Sequence, residues 1–250
     1  TVPPGPAAHP PADALAATPV ETSIASRLWG KLAPGARDPA LLRALDDAMV
    51  LLADHELAAS TLAARAAASV RADPYAVVSA GLAVASGTLH AGASLDIELL
   101  LAEAGRPERA ARTVGERLRR GERIRGFGHL VYKHGDPRAS FLLECLREAA
   151  GAAPPAVAER LEVAEAVLAA ARRRRLPGPN VDFALATLAS MAGMIAGAGE
   201  AVFVIARSAG WLAHALEEYQ RGVPLRPRAT YTGPIDEEDE RVGSRDQDTR

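Results

Sequence analysis

Apolar residues recur at helical spacing along most of this chain, and no segment alternates apolar with polar residues over a strand's length. That pattern predicts an all-α protein with little sheet. Residues 39–70 carry one apolar stripe, divisible into two helices. Asp73 and Pro74 predict the start of the next, a capping carboxylate followed by proline at the first position. It runs to about Ser86, and Gly87 breaks it. A further helix is predicted from about Gly92 to Ala104, closed by Gly105. Residues 107–120 read as a basic amphipathic helix. Asp136 and Pro137 then open a helix to about Ala150, with Asp136 as N-cap. The last three predicted helices cover 155–175, 181–197 and 200–221.

Both ends depart from this pattern. Residues 1–19 are rich in Pro and Ala without periodicity and read as a disordered lead; residues 234–250 read as a charged tail, with seven Asp or Glu against three Arg from 235 onwards. Alanine and leucine dominate the 48% apolar content, which favours helix. No run of about 18 uninterrupted apolar residues marks a membrane span. The N-terminus lacks a basic region followed by an apolar core, so no secretory signal is read. One cysteine, Cys145, excludes an internal disulfide and suits a reducing cytoplasm. The net charge of −2 gives no basic face for nucleic acid. The run Arg172–Arg175 reads first as a basic last turn favoured by the helix dipole. No Cys, His and carboxylate cluster has metal-ligand spacing.

Candidate chemistry gathers where glycine or proline turns the backbone beside an ionisable side chain. Three stretches do this: SGTLHAGAS at 86–94 with His90, GFGHLVYKHGDPRAS at 126–140 with His129, and PNVDF at 179–183 with Asp182. Taken alone, Asp182 is either a base or a first-turn carboxylate that suits the helix dipole. His90, just before a helix start, is either a neutral donor or a satisfied junction histidine. Arg138 lies in a first turn, where the dipole disfavours a cation, and that mild misfit points to a bound anion. Arg207, flanked by Ile205, Ala206 and Ala209, is either a snorkelling surface residue or a buried anion clamp. Chain-wide there are only two lysines, Lys31 and Lys133.

Together with ADHELAAST at 53–61 and IARSAGWLAH followed by RPRATYTG at 205–233, these motifs resemble the citrate synthase family, in order, from about 50 to 233. The resemblance implies an all-α, two-domain helical fold. Its large domain would be formed by 20–105 and 206–233 and its small domain by 106–205, with the site in the cleft between them. It implies condensation of acetyl-CoA with oxaloacetate and water to give citrate and CoA, an acyl transfer. Asp182 would abstract the methyl proton, His90 would hold the thioester oxygen, and His129 would bind the ketone oxygen. His55, Arg138, Arg207 and Arg226 would bind oxaloacetate, Arg226 from the neighbouring subunit of a homodimer, with Arg228 its near neighbour. Lys133 would meet the CoA phosphates, and the backbone at Gly126 and Gly128 the adenine. No metal and no cofactor besides the acetyl-CoA substrate is implied.

The chain departs from the family at 88–94. The usual Pro-Leu-His-Gly-Gly-Ala-Asn is here Thr88-Leu89-His90-Ala91-Gly92-Ala93-Ser94. It is also shorter than a usual family subunit, at the N-terminal side. Three other readings stay open: 2-methylcitrate synthesis from propionyl-CoA, citryl-CoA cleavage on the same residues, and a non-catalytic partner subunit that binds CoA esters.

Overall fold

The computed structural model describes residues 23–87, 93–230 and 232–233. Those residues form ten α-helices and no strand; the only pairing of extended backbone among them is an isolated bridge between Phe127 and Pro179. In chain order the helices are α1 (Ile24–Leu32), α2 (Pro39–Leu52), α3 (Ala59–Ser69), α4 (Pro74–Ala85), α5 (Ala93–Ala104), α6 (Pro107–Arg119), α7 (Pro137–Ala150), α8 (Pro155–Arg173), α9 (Val181–Met191) and α10 (Ala198–Arg221).

Local chemistry sets most of these boundaries. Asp38, Asp73 and Asp136 each precede a proline at the first helical position and accept from backbone N–H groups of the first turn. The Asp38 carboxylate takes Ala40 N at 2.8 Å and Leu41 N at 3.0 Å. Gly105, with φ of +63°, ends α5 where the sequence placed the stop. Two expectations are corrected. The helix expected over 181–197 ends at Met191, because Gly193 turns left-handed (φ +62°) and Ile195 N donates to Leu32 O of α1 instead. The helix expected to reach 175 stops at Arg173, with Arg175 at φ +58°. α1 is an element that the periodicity above does not single out. Ser23 caps it, and it buries Leu28, Trp29 and Leu32 against α2.

The apolar interior has two parts. The larger joins α1, α2, α5 and α6–α9 with the first half of α10, through Leu45, Ile97, Leu100, Leu142, Leu146, Phe183 and Leu185. The smaller joins α3 and α4 to the second half of α10 around Trp211. α2 and α5 thus pack on α7 and α9, across the division at 105/106 expected from the sequence. α10 is fastened to the end of α2: Gly210 N donates to Ala53 O at 3.0 Å, and a side chain at 210 would strike that carbonyl. This close approach places Arg207 beside the loop that carries His55.

Candidate active site

Two loops are clipped together. Asn180 N donates to Gly126 O (3.0 Å), Gly128 N to Gly178 O (2.8 Å), and the Asn180 side-chain amide to Gly128 O (2.9 Å). The same Asn180 caps α9 by accepting from Asp182 N (3.1 Å). His129 and Asp182, 53 residues apart in sequence, therefore belong to one rigid corner.

Asp136 closes this corner from beneath. Its carboxylate is buried, with Oδ1 accepting from Arg138 N and Nε (3.0 Å each) and Oδ2 from Arg138 Nη2 and Val181 N (2.9 Å each). Burial pushes the Asp136 carboxyl up. The hydrogen bonds and charge of Arg138, with the N–H groups of Val181 and Arg138, more than reverse this and hold it below the ordinary carboxylate value. The Arg138 guanidinium, itself buried, also lies 5.2 Å from the Tyr132 ring centroid. The cation in the first turn of α7 thus has its anion within the chain, two residues upstream.

His129 stands over this pair. Its Nδ1 accepts from Val131 N (3.1 Å) and Tyr132 N (3.3 Å), which assigns the proton to Nε2. Burial, and then the charge of Arg138, lower its pKa against the opposing pull of Asp136, so the ring is neutral near pH 7. Its Nε2 lies 3.4 Å from Arg138 Nη2. With the tautomer fixed, those are two donors facing each other, an arrangement completed by an acceptor from outside. His55 joins them: its ring centroid is 5.3 Å from that of His129 and 5.4 Å from that of Tyr132, and its buried Nε2 has no hydrogen-bond partner among the described residues.

Arg207 is 2% exposed on α10. Its Nε donates to Leu52 O (2.8 Å) and its Cζ lies 4.9 Å from the Phe203 ring centroid, yet no carboxylate pairs with it among the described residues. Burial first, and the charge of Arg138 second, lower its pKa against a weaker pull from Asp54. Arg207 and Arg138 are near enough to repel. Two mutually repelling guanidiniums, the His129 Nε2–H and the unpartnered His55 Nε2 offer contacts suited to a small molecule bearing carboxylates and a carbonyl oxygen.

Asp182 lies at the edge of this cluster. Burial raises its pKa to about 6, with Asp136 adding to the rise and Arg138 opposing it. Part of its surface still reaches solvent, and the hydrogen bond it accepts from its own backbone N–H opposes the rise only in part. A carboxylate so placed accepts a proton more readily than an ordinary aspartate.

The remaining sequence candidates fall as follows. His90 lies in 88–92, outside the described residues. Ser94 is buried against Gly199, and its hydroxyl has no hydrogen-bond partner among the described residues. Lys133 is exposed, and its charge acts weakly on His129. Gly126 is buried, and a Cβ there would lie 2.5 Å from Ile97 Cγ1; Gly128 has φ +78° under Pro177. Packing and backbone conformation therefore already call for both glycines. Arg226 and Arg228 are exposed on the segment after α10, which is tied to α3 by Leu225 N donating to Ser69 Oγ (2.9 Å); nothing brings either arginine to the cluster of its own chain. Tyr132, Phe203 and Asn180 were not singled out from the sequence, and Asp136 was read only as a cap. The spacing D-P-R was a signal for the last, since a capping carboxylate two residues before an arginine can also pair with it.

Among the described residues no three His, Cys, Asp or Glu side chains converge as metal ligands. Two surface cavities, of about 450 Å³ between α6 and Arg174 and about 510 Å³ between the 54–57 loop and α10, are lined by none of the clustered residues.

The chain as a whole matches a known family. Residues 11–228 match the model of the citrate synthase C-terminal domain. This chain belongs to the citrate synthase family. It is 37% identical to Citrate synthase 2 of Bacillus subtilis (strain 168), over 78% of this chain and 52% of that protein. Among solved structures, citryl-CoA lyase from Hydrogenobacter thermophilus superposes with a TM-score of 0.73 at 28% identity, covering 89% of both chains. The citrate synthase of the thermophilic archaeon Thermoplasma acidophilum, solved in ternary complex with carboxymethyl coenzyme A and oxaloacetate, gives 0.68 at 30% identity, covering 86% of this chain and 58% of that one. The chain spans about half the length of the curated relatives it matches. No helix among the described residues is long and apolar enough to cross a membrane.

Proposed function

We propose that this chain carries the site of a citrate synthase-type condensation, joining the acetyl group of acetyl-CoA to oxaloacetate. The observation that supports it most is a set of polar groups left unmet by the described residues: neutral His129 with its proton on Nε2, the unpartnered His55 Nε2, and buried Arg207 without a carboxylate. A 2-oxo dicarboxylate supplies what they lack, two carboxylates for Arg138 and Arg207 and a ketone oxygen for His129.

Asp182 takes a proton from the acetyl methyl group while His90 donates to the thioester oxygen, giving an enol. The enol carbon attacks the ketone carbon of oxaloacetate. The ketone oxygen becomes a hydroxyl as His129 gives up its Nε2 proton, and citryl-CoA forms. Water then cleaves the thioester to citrate and CoA. Unperturbed aspartate is a poor base for carbon, so burial of Asp182 and simultaneous stabilisation of the enol are both required. Closure of the cleft between 20–105 with 206–233 and 106–205 would expel water. The reaction calls for no cofactor beyond the CoA substrate, and Lys133 with the Gly126–Gly128 loop would face the CoA. In a homodimer Arg226 of the partner subunit would complete the oxaloacetate clamp. A reducing cytoplasm suits the single thiol.

One observation favours a second reading. The likeness to citryl-CoA lyase spans nine-tenths of both chains, and the same residues run in reverse cleave citryl-CoA to acetyl-CoA and oxaloacetate. The test is thiol release from acetyl-CoA and from propionyl-CoA, each with and without oxaloacetate, beside acetyl-CoA formation from citryl-CoA. The proposal expects thiol release from acetyl-CoA only when oxaloacetate is present. Faster release from propionyl-CoA would make the product 2-methylcitrate. Cleavage of citryl-CoA without net synthesis would establish the lyase. CoA-ester binding with no turnover in any arm would make the chain a non-catalytic partner.

A further inference from the structure

The four hydrogen bonds accepted by Asp136 reach three places at once: the N-terminus of α7, the side chain of Arg138 and the N-terminus of α9. We propose that Asp136 is a positioning residue that fixes the anion-binding Arg138 and the proton-accepting Asp182 in one frame and balances the charge between them. This rests on the condensation or cleavage reading above, and deepens it.

The geometry is demanding. Arg138 gives Asp136 its Nε and Nη2 edge in a two-pronged pair, leaving Nη1 and the remaining Nη2 proton for a ligand. The Oδ2 atom that accepts from Nη2 also accepts from Val181 N, the residue immediately before Asp182. A shift of the carboxylate therefore moves the arginine and the base together. The positive ends of two helices meet at this buried side chain, which favours its anionic form.

The two aspartates are consequently driven apart: Asp136 is held below the ordinary carboxylate range and Asp182 is raised to about 6. Such a split is the usual basis for assigning one carboxyl group to proton transfer and its neighbour to structure. The charged groups acting on Asp182 are Arg138 and Asp136, both at the start of α7. α2, α5, α8 and α10 also pack on α9 and, among the described residues, send no charged group that acts on it; Arg207 of α10 acts on Arg138. Replacing Asp136 removes the anion that raises Asp182. Replacing Arg138 removes the cation that lowers it. The two changes must move Asp182 in opposite directions.

The experiment follows the Asp182 carboxyl by carbon-13 NMR through a pH titration of the full chain, in the wild type, Asp136→Asn, Arg138→Gln and the double variant. The expected midpoints are near 6 in the wild type, lower in Asp136→Asn, higher in Arg138→Gln, and close to the wild-type value in the double variant. In parallel, kcat/KM for thiol release should fall on the order of 100-fold in Asp136→Asn, the cost of a misplaced reacting group. Its acid limb should follow the NMR midpoint downward, and Asp136→Glu should return the limb towards the wild-type pH. An unchanged midpoint in Asp136→Asn, or shifts of the same sign in both single variants, overturns the inference. Should Asp136→Asn fail to fold, Asp136→Ser takes its place, with the same lowered Asp182 midpoint expected and an unchanged midpoint overturning the inference. Opposite shifts without turnover on any CoA ester would uphold Asp136 and sink the proposed function; turnover without shifts would do the reverse.

Discussion

Arg138 and Arg207 are both buried and lie close enough to repel, yet the chain treats them differently. Arg138 is paired within the fold by Asp136, through two side-chain hydrogen bonds of 3.0 and 2.9 Å. Among the described residues Arg207 has the Leu52 carbonyl and the Phe203 ring face but no carboxylate. A buried ion pair answers its own desolvation in part, whereas a buried cation without an anion is costly unless something else supplies the charge. Arg138 in the α7–α9 corner thus carries its own counter-charge, and Arg207 on α10 has no paired carboxylate among the described residues.

The comparison is broken most severely by removing what both arginines serve. Asp182→Asn should lower thiol release by about 100- to 10,000-fold, while oxaloacetate affinity, measured by calorimetry, stays within a few-fold. Turnover near the wild-type rate would remove Asp182 from the chemistry. The paired corner is tested by Arg138→Leu, which strands Asp136 as a buried, unpaired anion and should cost about 3–5 kcal/mol of unfolding free energy in a urea titration. A loss below 1 kcal/mol would mean that Asp136 does not depend on its partner.

A smaller effect concerns pH. Asp182 has a folded pKa of about 6 against an ordinary 3.8, so between those values the native state holds a proton that the unfolded state has released. Stability therefore falls as pH rises through that window, and the penalty is fully present above it. Asp182→Asn removes the penalty. The variant should be more stable than the wild type at pH 7 by about 1–2 kcal/mol, a value discounted for the solvent that still reaches the carboxylate. That advantage should vanish near pH 3.5, below the ordinary carboxyl value. A difference independent of pH would show that the carboxyl is not perturbed.

Much of this is legible in the sequence, and the reason is locality. Asp73-Pro74, Asp136-Pro137 and Gly105 fix helix ends through bonds within a few residues, so their positions follow from sequence alone. What was not legible depends on distant approach. Asp136 reads as a cap, but its bond to Val181 N spans 45 residues and appears only when α7 and α9 meet. The misfit of Arg138 in a first turn suggested a ligand, and its nearest anion is that same cap. Gly126 and Gly128 suggested a ligand close to the backbone, and Ile97, Phe183 and Pro177 already occupy the space beside them. Tyr132 and Phe203 lie under guanidiniums only because the loop after His129 and the first half of α10 turn them there. Helix α9 falls short of its apolar pattern because Gly193 turns left-handed.

The proposed function has Arg207 await a dicarboxylate, and thermal unfolding with increasing oxaloacetate, in the wild type and in Arg207→Leu, probes this. The wild type should gain stability with each rise in oxaloacetate, by the usual linkage of binding to folding. The variant should start at an equal or higher melting temperature, because a buried unpaired charge is gone, and should respond only at oxaloacetate about 30- to 1,000-fold more concentrated, equivalent to 2–4 kcal/mol. The same oxaloacetate response in both proteins, or a variant that melts well below the unliganded wild type, would contradict the account.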